Sequence, residues 1–448
     1  MMKDSTRGFS GKLGFVMSAA GSAVGLGNIW RFPYLAAENG GGIFLLVYIV
    51  VTLVFGFPIM AMEIAIGRKT VSPSIAAYGK LDKRGSAIGW LTAAVTLITL
   101  PYYCVIGGWV MKYTCVFLFG NGTQAVAPSF FSGFLSQSFE PLIWQLVFLA
   151  ISALVLLGGI KDGIERANKI LMPALIVLAA GVAVYSLLNE GALSGLSYYL
   201  KPDFSKFSFQ TVLAATGQMF YSLSLSSGIM VTFGAYLGRN VSIEKSVKLV
   251  EVFDIGIAFL SGLIVITSVF AFSGGEQAAL SAGAGLLFET MPAVFVSMPF
   301  GEAAGAVFFL LVLFATLSSA ISMMEVNVAN LVGVFGMKRS NAVILLAAVL
   351  FVLGLPSALG YNLLENVRPL GMTILDFADF IGNTVVTPIA ALIACLFIGW
   401  VVHPRVLSQE IAHEGVFSRR KSFEFIIRWA APVFIAAVMV GTIGELLA

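Results

Sequence analysis

The chain has 448 residues, of which 58% are hydrophobic and only 11% charged. That is too little charge to cover the surface of a soluble protein of this length, so a soluble globular enzyme or a nucleic-acid-binding domain is excluded. The net charge of +3 matters less than where its members fall.

Cysteine and histidine add no chemistry. Cys104, Cys115 and Cys395 lie in or beside apolar runs without metal or redox spacing, and read as packing residues. His403 and His413 share one polar loop, so no histidine-ligated metal site is expected.

In chain order, the basic stretch Lys3 to Lys12 leads into an apolar run with no small-residue cleavage site, which reads as a retained first helix rather than a signal peptide. Runs of the length a bilayer requires then follow. They lie near 13–35, 43–66, 87–119, 142–158, 164–188, 210–236, 244–272, 301–335, 340–358, 376–402 and 424–446. About eleven transmembrane helices are predicted.

Orientation follows from lysine and arginine. With the N-terminus inside, the inner segments hold Lys3, Arg7 and Lys12; Arg68, Lys69, Lys80, Lys83 and Arg84; and Lys161, Arg166 and Lys169. Further along they hold Arg239, Lys245, Lys248, Lys338, Arg339, Arg405, Arg419, Arg420 and Lys421. The outer segments hold only Lys201, Lys206 and Arg368. The expected topology is N-terminus cytoplasmic and C-terminus outside. Three outer segments are longer, 120–141, 189–209 and 273–300, and Ala278 to Phe295 is expected to form a short helix over the outer mouth. With no polar linker, 1–448 reads as a single transmembrane transporter domain.

The first helix carries the strongest signal. Gly21, Gly25, Gly27 and Asn28 fall near the middle of the bilayer, and each glycine costs a helix about 1 kcal/mol relative to alanine. Gly21 and Gly25 alone form a GxxxG pair, which often means close helix packing. The sixth helix, however, has a matching interruption from Gln218 to Gly228, rich in serine. Two such breaks five helices apart point to an inverted repeat with unwound helices at its centre, where freed carbonyls suit a cation and freed N–H groups an anion.

At this point the sequence resembles the neurotransmitter:sodium symporter family, and prokaryotic amino-acid carriers in it. The resemblance rests on Gly25 through Tyr34, Glu38 to Gly42, Glu63 through Gly67 and Arg68, Tyr102 and Tyr103 through Gly108 and Trp109, Leu317 to Ala320, and Asp376 to Asp379. It runs from about residue 11 to residue 402. It implies an all-α integral membrane fold, a five-plus-five inverted repeat over about 11–188 and 210–402 with an extra helix at about 424–446, and sodium-driven symport by alternating access. The short loops suggest the plasma (inner) membrane of a prokaryote.

Position by position, the resemblance implies two sodium sites. Site 1 would use the Ala23 carbonyl, Asn28, Ser222, Asp254 and the substrate's carboxylate. Site 2 would use the carbonyls of Gly21, Val24 and Ala315 with the hydroxyls of Ser318 and Ser319. Asp254 lies near the midplane, where a carboxylate is expensive and functional by default. Related carriers that need chloride resemble one another in having Asn there and Ser at the position of Ala258, so no chloride requirement is expected. Glu63 is expected to brace the unwound sixth helix, and Glu325 to line the inner pathway.

The resemblance also implies the substrate. Gly25 replaces the Asp of monoamine carriers, so the substrate would bring its own carboxylate to sodium, to the N–H groups of Leu26 and Gly27, and to the Tyr103 hydroxyl. Its ammonium would meet the carbonyls of Ala23, Tyr221 and Ser224 and the hydroxyl of Ser222. Thr99, Ile106, Tyr221, Ser224, Ser226, Ser227, Ser319 and Met323 would enclose a neutral, hydrophobic or aromatic side chain. Arg31 and Asp379, bridged by water, with Tyr103 and Tyr221 as a lid, would form the outer gate. The inner gate departs from the family pattern, because Arg7-Gly8-Phe9 lacks the usual Trp and Gly333 stands where an acidic partner is usual. A proton-coupled carrier of the same architecture and a transporter-like channel or receptor remain open. No catalytic residues are visible, and a membrane enzyme is not expected.

Overall fold

The computed structural model describes residues 8–127, 129–273 and 285–447, and these are built from helices. Nine helices among the described residues are long and apolar enough to cross a membrane. They are α2 (Gly42–Thr70), α3 (Lys83–Leu118), α4 (Glu140–Leu157), α5 (Ile160–Leu187), α7 (Ile243–Ser273), α8 (Gly301–Gly333), α9 (Arg339–Leu359), α10 (Ile374–Val402) and α11 (Arg420–Thr442). The remaining two spans are broken. α1 consists of Lys12–Ala23 and Gly27–Glu38, bent by 53°. α6 consists of Phe209–Ser222 and Ile229–Ala235, whose 14 and 7 residues are each too short to cross alone.

Eleven spans are what the apolar runs predict, with ends shifted by a few residues. One such shift is in α2, which continues to Thr70, with Arg68 turned back into the protein and paired with Glu410 at 2.8 Å. The expected outer helix is present as Leu286–Ser297, while the first part of Ala278 to Phe295 lies outside the described residues.

Burial separates scaffold from periphery. In α3 83% of the hydrophobic window is buried, against 33% in α4, α5 and α11, which present most of that surface outward. Small residues set the closest contacts. A Cβ on Gly67 would lie 1.8 Å from the Val231 carbonyl, and one on Gly234 would lie 2.3 Å from the Ile64 carbonyl, so α2 and the second half of α6 touch backbone to backbone. Such contact replaces the hydrophobic driving force that lipid does not supply between helices. The two breaks therefore face each other across a space walled by α3, α8 and α10.

Candidate functional site

Each break places backbone polar groups at mid-membrane, where they must be satisfied by protein or by a ligand. In α1 the chain leaves the helix at Val24 (φ −84°, ψ 99°) and re-enters at Gly27. Asn28 ties the break together, with Oδ1 3.3 Å from the Gly25 N–H and Nδ2 donating 2.9 Å to Asp254 Oδ1. In α6, Ser224, Ser226 and Gly228 all have positive φ. The Ser226 N–H donates 2.7 Å to Glu63, so this buried carboxylate braces the unwound sixth helix. Gln218 joins the two breaks by donating 2.9 Å to the Gly27 carbonyl.

Between the breaks lies a cavity. It is lined by Ala23, Gly25, Leu26, Gly27, Thr99, Tyr103, Tyr221, Ser222, Ser224, Ser227, Ser319 and Met323 from the expected set. Ile106 and Ser226 are off its wall. Ile106 is buried in the core, and Ser226 is turned away because its N–H is held by Glu63. Sequence reasoning missed Ser22, Thr96, Phe220, Asn383 and Thr387 on the lining. Asn383 and Thr387 lie one and two turns beyond the Asp376–Asp379 motif, a spacing that could have found them.

Glycine makes the cavity possible. A Cβ on Gly25 would lie 2.6 Å from Ser319 Oγ and 3.1 Å from the Tyr103 hydroxyl. One on Gly27 would lie 2.4 Å from the Tyr221 ring. The Leu26 N–H donates to the Tyr103 hydroxyl at 3.4 Å, which brings both groups to the place expected for a carboxylate.

Three donors converge on Asp254. Tyr48 is at 2.6 Å from Oδ2, while Asn28 and Ser222 bond Oδ1. Tyr48 belongs to no motif in the sequence and was not anticipated. A second cluster contains no charge. Ser319 Oγ lies 3.2 Å from the Gly21 carbonyl, 3.2 Å from that of Ser22 and 3.3 Å from that of Val24. One hydroxyl proton cannot serve three acceptors at once, and this convergence of oxygens is the kind of cage a hard cation requires. Ser318 donates 2.9 Å to the Ala315 carbonyl beside it. The second set is oxygen-only, and the first offers the carboxylate, hydroxyl and amide oxygens of Asp254, Ser222 and Asn28, so the residues present fit sodium.

At the expected outer gate, Arg31 sits over the Tyr221 ring at 5.0 Å. Asp379 accepts from Tyr102 at 2.6 Å and from Asn383 at 2.8 Å. Arg31 and Asp379 form no direct ion pair among the described residues. At the expected inner pathway, Glu325 is paired with Arg339 and accepts 2.8 Å from Tyr236, at the end of α6. Phe9 packs edge-on against Phe15, Phe233 and Tyr236. Gly333 packs on Pro73, and Arg7 lies outside the described residues.

Comparison with known proteins gives a consistent answer. The profile of the sodium:neurotransmitter symporter family matches residues 7–121 and 135–447. An uncharacterized sodium-dependent transporter of Bacillus subtilis is 34% identical over 445 residues, covering 98% of each chain. Another from Haemophilus influenzae is 32% identical, covering 97% of this chain and 98% of its own. The crystal structure of MhsT in complex with L-phenylalanine superimposes with a TM-score of 0.88 at 36% identity, covering 97% of this chain and 99% of that one. With its unwound first and sixth helices inside an eleven-span helical fold, the chain belongs to the sodium:neurotransmitter symporter family and is a sodium-dependent membrane transporter.

Proposed function

We propose that this protein carries a neutral α-amino acid, hydrophobic or aromatic, into the cell together with sodium and without a chloride requirement. The observation that carries the reading is the cavity between the two breaks. One end offers backbone N–H groups of Leu26 and Gly27 and the Tyr103 hydroxyl, and the rest is walled by apolar groups and hydroxyls. An α-carboxylate suits the first end and a bulky neutral side chain the second. The likeness to MhsT, solved with L-phenylalanine, supports the same choice.

Two sodium ions fit this reading. One would be held by Ala23, Asn28, Ser222, Asp254 and the substrate carboxylate, the other by Gly21, Val24, Ala315, Ser318 and Ser319. A carboxylate shared between substrate and ion gives sodium a differential affinity for the substrate-loaded state, which is what coupling requires. Asp254 supplies a fixed negative charge at site 1, and Ala258 offers no hydroxyl to an anion. The inside-positive loops support a cytoplasmic N-terminus in the plasma membrane.

Reconstitution into liposomes tests the proposal. Labelled L-phenylalanine is supplied under an inward sodium gradient and under an equal potassium gradient, with chloride or gluconate as anion. Accumulation with sodium in both anions is expected. Collapse in gluconate removes the chloride claim. Uptake that follows a proton gradient removes the sodium sites. Competition by phenethylamine as strong as by phenylalanine removes the carboxylate contact.

A further inference from the structure

Asn168 is fully buried in α5, and neither its Oδ1 nor its Nδ2 has a hydrogen-bond partner. Inside a membrane a primary amide with nothing to bond is among the more expensive side chains to keep, and an alanine or leucine would fill the position without that cost. Its surroundings say what it faces. A Cβ on Gly21 would lie 2.4 Å from Asn168 Oδ1 and 3.2 Å from the Ser318 Cβ. The amide oxygen thus rests against the backbone of Gly21, whose own carbonyl is turned to Ser319, and beside the helix that carries Ser318.

A second orphan lies in the same seam. Gly14, Ser18 and Gly21 fall on one face of the first half of α1. Gly14 and Gly21 both meet α5, at Glu165 and Asn168 respectively. Ser18, between them on that face, is fully buried and its hydroxyl is also unpartnered. At the cytoplasmic end the seam is closed by Ser10, whose N–H and hydroxyl both bond Glu165, and by Lys169 on the same carboxylate. Unpartnered oxygens therefore continue below the cage of Gly21, Val24 and Ser319, toward the cytoplasm.

We propose that Asn168 Oδ1 is an additional sodium ligand on the cytoplasmic side of the second ion site, with Ser18 taking up the amide Nδ2. The inference rests on the reading of Gly21, Val24, Ala315, Ser318 and Ser319 as a sodium site. Every oxygen in that set is neutral, so one more amide oxygen strengthens the cage without adding charge, and its position lets it follow the ion as it leaves inward. Gly21 is what allows the approach, because any side chain there would occupy the space of the amide.

The test is a sodium titration of labelled L-phenylalanine binding to the purified protein, with Asn168→Ala, Asn168→Asp and Ser318→Ala beside the parent. Thermal unfolding at each sodium concentration is the second readout. Asn168→Ala is expected to raise half-saturating sodium by about tenfold, with phenylalanine affinity at saturating sodium unchanged. Asn168→Asp, which keeps an oxygen and adds charge, is expected to lower half-saturating sodium. Asn168→Ala is expected to shrink the sodium-dependent rise in melting temperature, and Asn168→Asp to enlarge it. If Ser318→Ala shifts the sodium curve and neither Asn168 variant does, Asn168 is a packing residue and the proposal is overturned. If none of the three shifts it, the underlying sodium site falls as well.

Discussion

In α1 the chain leaves the helix through a single extended residue, Val24, and the break is held by Asn28, which itself reaches Asp254. In α6 the break passes through Ser224 at φ 52°, Ser226 at φ 60° and Gly228 at φ 77°, and it is held from outside by Glu63 of α2. Non-glycine residues in the left-handed region cost about 1–2 kcal/mol each. The first break is thus fixed by groups of the proposed ion site. The second is fixed by scaffold and carries strain. Emptying or altering the site should loosen α1, while α6 should keep its shape until its brace is removed.

The largest effect is expected at Asp254, where three donors converge on one buried carboxylate. Asp254→Ala takes this acceptor from the buried donors of Tyr48, Asn28 and Ser222, at about 1–3 kcal/mol for each donor left unsatisfied. Asp254→Ala should lower sodium-driven uptake by at least about a hundredfold in proteoliposomes. Retention of full uptake would detach this carboxylate from the ion. Glu63→Ala should act on the fold instead. It leaves the Ser226 N–H without an acceptor, at about 1–3 kcal/mol, and should lower the melting temperature whether or not sodium is present. A loss of stability confined to the sodium-loaded protein would mean that Glu63 belongs to the site and that the two breaks are not held differently.

Much of this was legible in the residues. The apolar runs give the spans, because lipid demands a fixed length of apolar helix. Gly21, Gly25, Gly27 and the serine-rich stretch mark both breaks, because each residue is poor helix former or backbone competitor at mid-membrane. Glu63 was expected to brace α6 and is found on Ser226. What stayed hidden depends on distance in sequence rather than on pattern. Tyr48 and Asp254 are joined across 206 positions, and Glu325 was readable only as a lining residue until Arg339 and Tyr236 closed around it. Ile106 and Ser226 were expected on the cavity wall because neighbouring positions are there. A helix rotates Ile106 into the core, and the bond to Glu63 turns Ser226 aside.

A middle-sized effect separates site from scaffold in α1. Gly25→Ala puts a methyl group 2.6 Å from Ser319 Oγ and 3.1 Å from the Tyr103 hydroxyl, both side chains that line the cavity. It should weaken phenylalanine binding by about tenfold, with a change in melting temperature smaller than that of Glu63→Ala. An unchanged affinity would show that the cavity can relax around α1 without affecting the ligand.

The smallest effect tests the strain in α6. Ser226→Gly removes the cost of φ 60° for a residue with a Cβ. Against this, glycine gains about 0.4–1 kcal/mol of freedom in the unfolded chain. The balance is a stabilisation of about 1 kcal/mol or less, read as a small rise in melting temperature. Because the side chain is off the cavity wall, phenylalanine affinity should not move. A change in affinity without a gain in stability would place Ser226 among the ligands and remove the distinction between a break made by the site and a break made by the scaffold.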